Sequence, residues 1–446
     1  MSTVQNHPFS NGTSPEGAVS YSTLVDHLRQ RAPSTHRFAG KASAAIQQTA
    51  RVALAGLLKR LDGGTLEIRE AGRVERFGDP GGAPISVVVD DPRAWSSVIT
   101  EGSVGLGRGY IEGWWWSDQP VEFLQLIAQN LDPIEPLQRW RSRASGFLPH
   151  QILRRPTSHK DREDIAAHYD IGTDFFSLFL DETLTYSSGV FLDPDDSMYE
   201  ASQQKYDRLL NKLGVTASDR ILEIGTGWGG FALRAAQSRG CKVTTTTISA
   251  DQYQHARRRI DAANLQDSIT LLDSDWRHLS GQFDKVVSIE MIEAVDWRDY
   301  QAFFAKIQDL LTPDGAAALQ VICVPGQRFP ITKHREDFIK RFVFPGGGLP
   351  SLGAITEAID GGTGLQLLDV EDITAHYAQT LRRWRHEFDA NETDVAQLGY
   401  DARFRRLWRF YLAYCEAGFL ERFCTANQIV LVGKGWRPGG LTVRPH

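Results

Sequence analysis

The feature that most constrains this chain is the run Ile221-Leu-Glu-Ile-Gly-Thr-Gly-Trp-Gly-Gly230. An apolar stretch at 220–224 leads into a turn with glycines at 225, 227 and 229, and a helix-forming segment follows at 231–238. Glycines at that spacing let the backbone turn tightly and come close to a ligand. Downstream, β-branched runs alternate with charged ones. Strands are expected at 242–248, 268–272, 285–289 and 316–321, and a helix at 251–264. That rhythm predicts an α/β fold, Rossmann-like, with an open and mainly parallel sheet.

A Gly-rich turn by itself does not identify its ligand, because dinucleotide folds share it. Glu223 stands just before the first glycine, where a carboxylate would repel a phosphate and would suit the ammonium of S-adenosylmethionine. The next strand ends Thr246-Thr-Ile-Ser249, without the acid that nicotinamide folds place on the ribose, so Ser249 and Gln252 are the candidates for that role. Asp273-Ser-Asp-Trp276 follows a third strand, and Asp275 and Trp276 suit an adenine amino group and ring face. The candidate cofactor loop is therefore Glu223, Gly225, Gly227 and Gly229, within a class I S-adenosylmethionine methyltransferase domain.

At 446 residues the chain has room for two domains. The expected division is a polar tail at 1–20, a smaller N-terminal α+β unit at 21–140, a linker at 141–164 and a catalytic domain at 165–446. In the N-terminal unit a helix is expected at 42–60 and strands at 65–70 and 85–89. The Gly- and Trp-dense stretch 105–116 reads as a packed turn. The linker carries Arg141, Arg143, Arg154, Arg155, Lys160 and Arg162. The segment 325–353, with Phe329, Phe338, Phe342 and Phe344, breaks the α/β rhythm and reads as a lid or wall for an acyl chain. A net charge of −6 speaks against a global attraction to nucleic acid. Four cysteines without a C-x-x-C pair suggest neither zinc nor disulfides and fit a reducing cytoplasm. The first forty residues lack an apolar core of the signal-peptide kind, and no apolar run approaches the ~18 residues of a membrane span. Lipid would be met from the cytoplasmic side, at the membrane surface.

Several motifs occur in order: Ile165-Ala-Ala-His-Tyr-Asp170, Thr185-Tyr-Ser-Ser188, the glycine loop, Thr247-Ile-Ser249, Glu290-Met-Ile-Glu293, Tyr377-Ala-Gln-Thr-Leu381 and the stretch 411–419. Together they resemble the cyclopropane-fatty-acid synthases and mycolic acid methyltransferases over about 165–433, and the 105–116 stretch is similar to the N-terminal lipid-handling domain of the longer synthases. The resemblance implies methyl transfer from S-adenosylmethionine to a cis double bond in an acyl chain, with a bicarbonate as base. It adds Tyr186, Ser187 and Thr247 to the cofactor contacts and makes Glu293, Tyr377, Ser188 and His168 the catalytic set. An alkene is a weak nucleophile, so the donor must be held close and in line. The cation left on the neighbouring carbon must be kept from water. Proton loss from the new methyl closes a cyclopropane; a hydride shift first gives a methylene branch.

This chain departs from the family pattern in two places. Glu293 is followed by Ala294-Val295-Asp296, and Leu319-Gln-Val-Ile-Cys323 puts Val321 where the family has the histidine of its bicarbonate site, with Cys323 near the next contact. Gln320 would face the site only in a different strand register, since a one-residue shift reverses the face. The pattern is similar to the actinobacterial branch that makes tuberculostearic-type acids through a methylene intermediate. The resulting expectation is a 10-methylene-branched chain on a phospholipid, made by a homodimer peripheral to the inner membrane face, with a separate reductase completing the methyl branch. Three alternatives stay open: a cyclopropane from the same cation, a small-molecule methyltransferase, and a noncatalytic lipid-binding protein. The last would bind the cofactor without turnover.

Overall fold

A computed structural model describes residues 41–130 and 171–437. The tail at 1–20, the basic linker at 141–164 and His168 lie outside the described residues.

The first sheet has four strands in the order β2-β1-β3-β4: β1 (Thr65–Glu70), β2 (Arg73–Gly78), β3 (Pro84–Val89) and β4 (Trp115–Trp116). β1 and β2 form a hairpin over Ala71 and Gly72, both at positive φ, which is what a two-residue turn matched to strand twist requires. Helices Lys41–Leu58, Arg93–Glu101, Ser103–Ile111 and Pro120–Gln129 accompany this sheet. The Gly-rich stretch expected as a turn is therefore largely helical. Its glycines serve close packing. A Cβ on Gly105 would lie 1.9 Å from the Ser97 carbonyl oxygen, and one on Gly107 would lie 2.2 Å from the Phe338 ring. Contacts that tight offset the ~1 kcal/mol of helix propensity that each glycine costs.

The second sheet has seven strands in the order β10-β11-β9-β8-β5-β6-β7. Its members are β5 (Arg220–Ile224), β6 (Lys242–Thr247), β7 (Ile269–Asp273), β8 (Phe283–Ile289), β9 (Leu311–Cys323), β10 (Gln366–Asp372) and β11 (Thr425–Val432). β5 to β9 pair in parallel, and β11 runs antiparallel to both β9 and β10. The strand order reverses between β5 and β8, and ligands of open α/β sheets bind at the carboxyl ends beside that reversal. The ends of β5, β6, β7 and β8 carry Glu223, Thr247, Asp275 and Glu290.

β9 alternates strictly. Ala317, Leu319, Val321 and Cys323 enter one core layer, while Ala316 and Ala318 enter the other and Gln320 and Ile322 continue that second face. Helices Thr374–Ala390 and Ala402–Leu420 pack on each other, and Ala402–Leu420 also packs on the first unit. Phe410 meets Tyr110 at 5.2 Å and Phe338 at 4.8 Å between ring centroids, and Arg406 Nε donates to the Ile111 carbonyl at 2.7 Å. One hydrophobic core thus runs from the four-stranded unit into the catalytic part.

Candidate active site

Gly225, Gly227 and Gly229 all adopt positive φ, at 104°, 53° and 91°. The Gly225 and Thr226 N–H groups donate to the Thr246 carbonyl, which pins the turn to the next strand. Beside it lies a cleft of about 180 Å³. Of the expected cofactor residues, Tyr186, Ser187, Glu223, Gly225, Gly227, Thr247, Gln252, Asp275 and Trp276 line it. Ser249 and Gly229 do not. Ser249 caps helix Ala250–Ala262 by accepting from Gln252 N–H, and Gly229 opens helix Gly230–Arg239, where an added Cβ would approach Ala256 at 3.4 Å. Asp275 accepts from its neighbour Arg277 at 2.9 Å, and Thr247 Oγ1 donates to Gln252 at 2.9 Å.

Glu223 is buried at the inner end of this cleft and accepts from Thr245 Oγ1 at 2.6 Å. Burial pushes its carboxyl up to about 8. A cationic ligand group would return it to the ionised form. A buried carboxylate, three left-handed glycines and an indole at the adenine end fit S-adenosylmethionine, whose charged sulfonium carries a transferable methyl.

At the far side of the cleft the end of β8 turns through Glu290, a non-glycine residue at φ 50°. Such backbone costs about 1–3 kcal/mol and persists where the surroundings enforce it. Here the Glu290 N–H donates to the Gln320 carbonyl at 2.8 Å. The Glu290 carboxylate is held from three directions. Ser188 N–H donates to Oε1 at 3.0 Å, Gln320 Nε2 to Oε1 at 2.8 Å and Tyr377 Oη to Oε2 at 2.6 Å. Gln320 also donates to the Ser188 carbonyl at 3.2 Å and accepts from Gln428 at 3.1 Å. Burial raises the Glu290 carboxyl, and the three donors pull against that rise.

Glu293 lies one turn further on. Its Oε1 accepts from Ile322 N–H at 2.6 Å, while its buried Oε2 has no hydrogen-bond partner among the described residues. Burial and the neighbouring Glu290 charge push it up to about 8. Two carboxyls three residues apart thus have unequal environments, Glu290 held by three donors and Glu293 by one.

The expected bicarbonate does not fit. Ser188 N–H and Tyr377 Oη, both of the expected catalytic set, are already occupied by Glu290. Val321 and Cys323, where the family pattern had placed further contacts, face the opposite core layer. The register of β9 brings Gln320 to the site instead. It pairs with Ile289 on one side and Gln428 on the other.

A second cavity, of about 860 Å³, meets the cleft at Tyr186, Glu290 and Ala294. Its volume stands near the top of the ~300–1,000 Å³ range of small-molecule sites. Leu58, Leu66, Val87, Trp95 and Leu124 of the four-stranded unit line one part, and Tyr377, Tyr411 and Phe419 line the part beside Glu290. Segment 325–353 forms a wall through Arg328, Ile339, Phe344 and the turn 345–348, while Phe338 is buried in the aromatic core. Tyr186 Oη and Tyr411 Oη share a hydrogen bond of 2.8 Å at the junction.

Sequence reasoning carried Glu293 forward and passed over Glu290, although both belong to the same motif. It also missed Lys205, buried beneath Ser187. An acid immediately after the strand at 285–289 was the available signal for Glu290, because carboxyl ends of parallel strands carry ligands.

Residues 157–429 match the family model described as mycolic acid cyclopropane synthetase. Tuberculostearic acid methyltransferase UfaA1 of Mycobacterium tuberculosis is 38% identical, over 77% of this chain and 85% of the relative. Cyclopropane-fatty-acyl-phospholipid synthase of Escherichia coli is 31% identical, over 78% of this chain and 88% of the relative. Among solved structures, mycolic acid cyclopropane synthase CmaA1 complexed with SAH and CTAB superposes with a TM-score of 0.57 at 30% identity, covering 61% of this chain and 98% of that one.

Proposed function

The chain belongs to the mycolic acid cyclopropane synthetase family, and from that premise we propose that it converts a cis-unsaturated phospholipid acyl chain to a methylene-branched one, with Glu290 as the base. It is an S-adenosylmethionine-dependent C-methyltransferase that modifies unsaturated lipid acyl chains. The finer reading, of product and base, is carried by the Glu290 carboxylate. It is held by three donors where the apolar cavity opens into the cleft.

Bound in the cleft, S-adenosylmethionine supplies an electrophilic methyl. The protein's share is placement. The apolar cavity holds the acyl chain and keeps water from the reacting carbons. The alkene π pair forms the new C–C bond as the methyl–sulfur bond breaks, and the neighbouring acyl carbon becomes cationic. The Glu290 carboxylate stabilises that cation at short range. A hydride then moves from the methylated carbon to its cationic neighbour and leaves the cation on the methylated carbon; Glu290 takes a proton from the added methyl, and that C–H pair becomes the methylene double bond. A base fixed by three hydrogen bonds cannot follow the cation, so the product depends on which proton lies nearest. Neutral Glu293 keeps a second negative charge out of the pocket.

A phospholipid reading is supported by the cavity wall. Arg328, Arg335 and Lys340 line it beside Glu101, Glu336 and Asp337, and Ile331 of the same segment is 53% exposed. Cationic groups beside an exposed aliphatic side chain suit a headgroup region. We place the enzyme at the cytoplasmic membrane surface, as a homodimer, with a separate reductase consuming the methylene product. Incubation with S-adenosylmethionine and oleoyl phospholipid vesicles, followed by mass spectrometry of the released acids, tests this. The expected result is a gain of one CH₂ whose ozonolysis leaves a ketone within the chain. An ozone-resistant product would replace the methylene reading with the cyclopropane one. Turnover of free or carrier-bound acyl chains alone would remove the phospholipid.

A further inference from the structure

Helix Met198–Lys212 sends a lysine into the interior. Lys205 is fully buried, and its Nζ donates to Ser187 Oγ at 2.6 Å. The Nζ also lies 4.6 Å from the centroid of the Tyr206 ring, whose hydroxyl shares a hydrogen bond of 2.6 Å with Thr185 Oγ1. Two adjacent residues of one helix therefore fasten the loop 183–188. That loop carries Tyr186 and Ser187 into the cleft and directs the Ser188 N–H at Glu290.

An ammonium is costly to bury without counter-charge. The carboxylates that act on Lys205 are Glu290, Asp181 and Glu223, and burial still pulls its ammonium down to about 8. On the other side, Glu290 faces Tyr377, Gln320, Ser188, Lys205 and the second acid Glu293. Of these, Lys205 is the cation, and its charge opposes the burial that favours a protonated Glu290.

We propose that Lys205 is a positioning residue of this site: its buried ammonium grips Ser187, the residue before the Ser188 N–H that holds Glu290, and its positive charge favours the ionised form of that carboxylate. The inference rests on Glu290 being the base. It separates two tasks that a single lysine performs, holding the loop 183–188 and biasing the protonation state of a carboxylate on the other side of that loop.

The test is the pH profile of kcat/KM for methyl transfer to oleoyl phospholipid vesicles, measured for the intact chain and for Lys205→Met, Lys205→Gln and Lys205→Arg. Glutamine can still reach a hydroxyl but carries no charge. The acid limb should move to higher pH by about one unit in the Met and Gln variants, a roughly tenfold loss below the midpoint that shrinks as pH rises. The Arg variant should keep the original midpoint. A rate lowered equally at every pH in both neutral variants would overturn the proposal, because loop damage alone does that. If the neutral variants do not fold, Lys205→Arg decides, and a shifted midpoint with the charge retained overturns the proposal. Glu290→Gln runs alongside. Should it keep the parental rate and acid limb, Glu290 is not the base, and that failure is distinct from one at Lys205.

Discussion

The two cavities that meet at Tyr186 and Glu290 draw on different parts of the fold. The smaller one is formed by strand ends and left-handed glycines beside a buried carboxyl, with threonine, serine and apolar side chains around it. The larger is lined by leucine, valine and aromatic side chains drawn from both the four-stranded unit and the catalytic part. A charged donor needs fixed dipoles, whereas an acyl chain needs only apolar volume. The reaction requires the methyl and the alkene in contact, so the residues at the junction belong to neither type. Glu290, Tyr377 and Gln320 form a polar cluster at the edge of an apolar tunnel. Its full set of hydrogen bonds is what makes such burial tolerable.

Several substitutions would break or sharpen that contrast. The largest effect is expected at the junction. Glu290→Gln should lower kcat by about 10²–10⁴-fold, the usual weight of a general base, while S-adenosylhomocysteine still binds when measured by calorimetry. Next comes the polar cavity alone. Glu223→Gln should weaken S-adenosylmethionine binding by roughly 10–100-fold, as the loss of a charged hydrogen bond of about 1.5–3 kcal/mol implies, with the lipid KM little changed. The apolar cavity is tested by Leu106→Trp, which fills part of it. Long acyl chains should lose about tenfold more kcat/KM than shorter ones, with cofactor affinity intact. Equal losses for all chain lengths would mean that this cavity does not hold the chain.

The smallest effect concerns Glu293. Its carboxyl stands at about 8 when folded and near the ordinary 4.5 when unfolded. A raised folded value means that stability is fully present below 4.5 and is lost as pH rises through 8. Glu293→Gln should therefore flatten the fall in Tm between about pH 5 and 9. Glu223, also raised to about 8, keeps part of that slope in the variant.

Much of the catalytic part was legible in the sequence. β5 and the helix after the glycine turn announced themselves because a β-branched or apolar run, a Gly-rich turn and an Ala-rich helix each obey local rules. β10 and β11 were not expected. β10 exposes Gln366, Leu367 and Leu368, so its pattern does not separate buried from solvent faces, and β11 begins with polar residues that bury only because β9 lies beside them. The 105–116 stretch was misread for a similar reason. Glycine's local preference argues for a turn, and only the approach of Ser97 and Phe338 explains a helix.

The sequence by itself determined the cofactor loop, because Glu223 and the glycines act through backbone geometry that lies within ten residues. The resemblance grouped Glu293, Tyr377 and Ser188, and the structure brings Tyr377 and Ser188 onto Glu290, three residues before Glu293. Which carboxyl is gripped by three donors was decided only by the tertiary structure. That choice rests on the register of β9, which turns Gln320 toward Glu290 and Val321 away, and on Tyr377 and Ser188 arriving from separate parts of the chain. Strand register and long-range hydrogen bonds are set by the packing of whole layers, and no local pattern carries them.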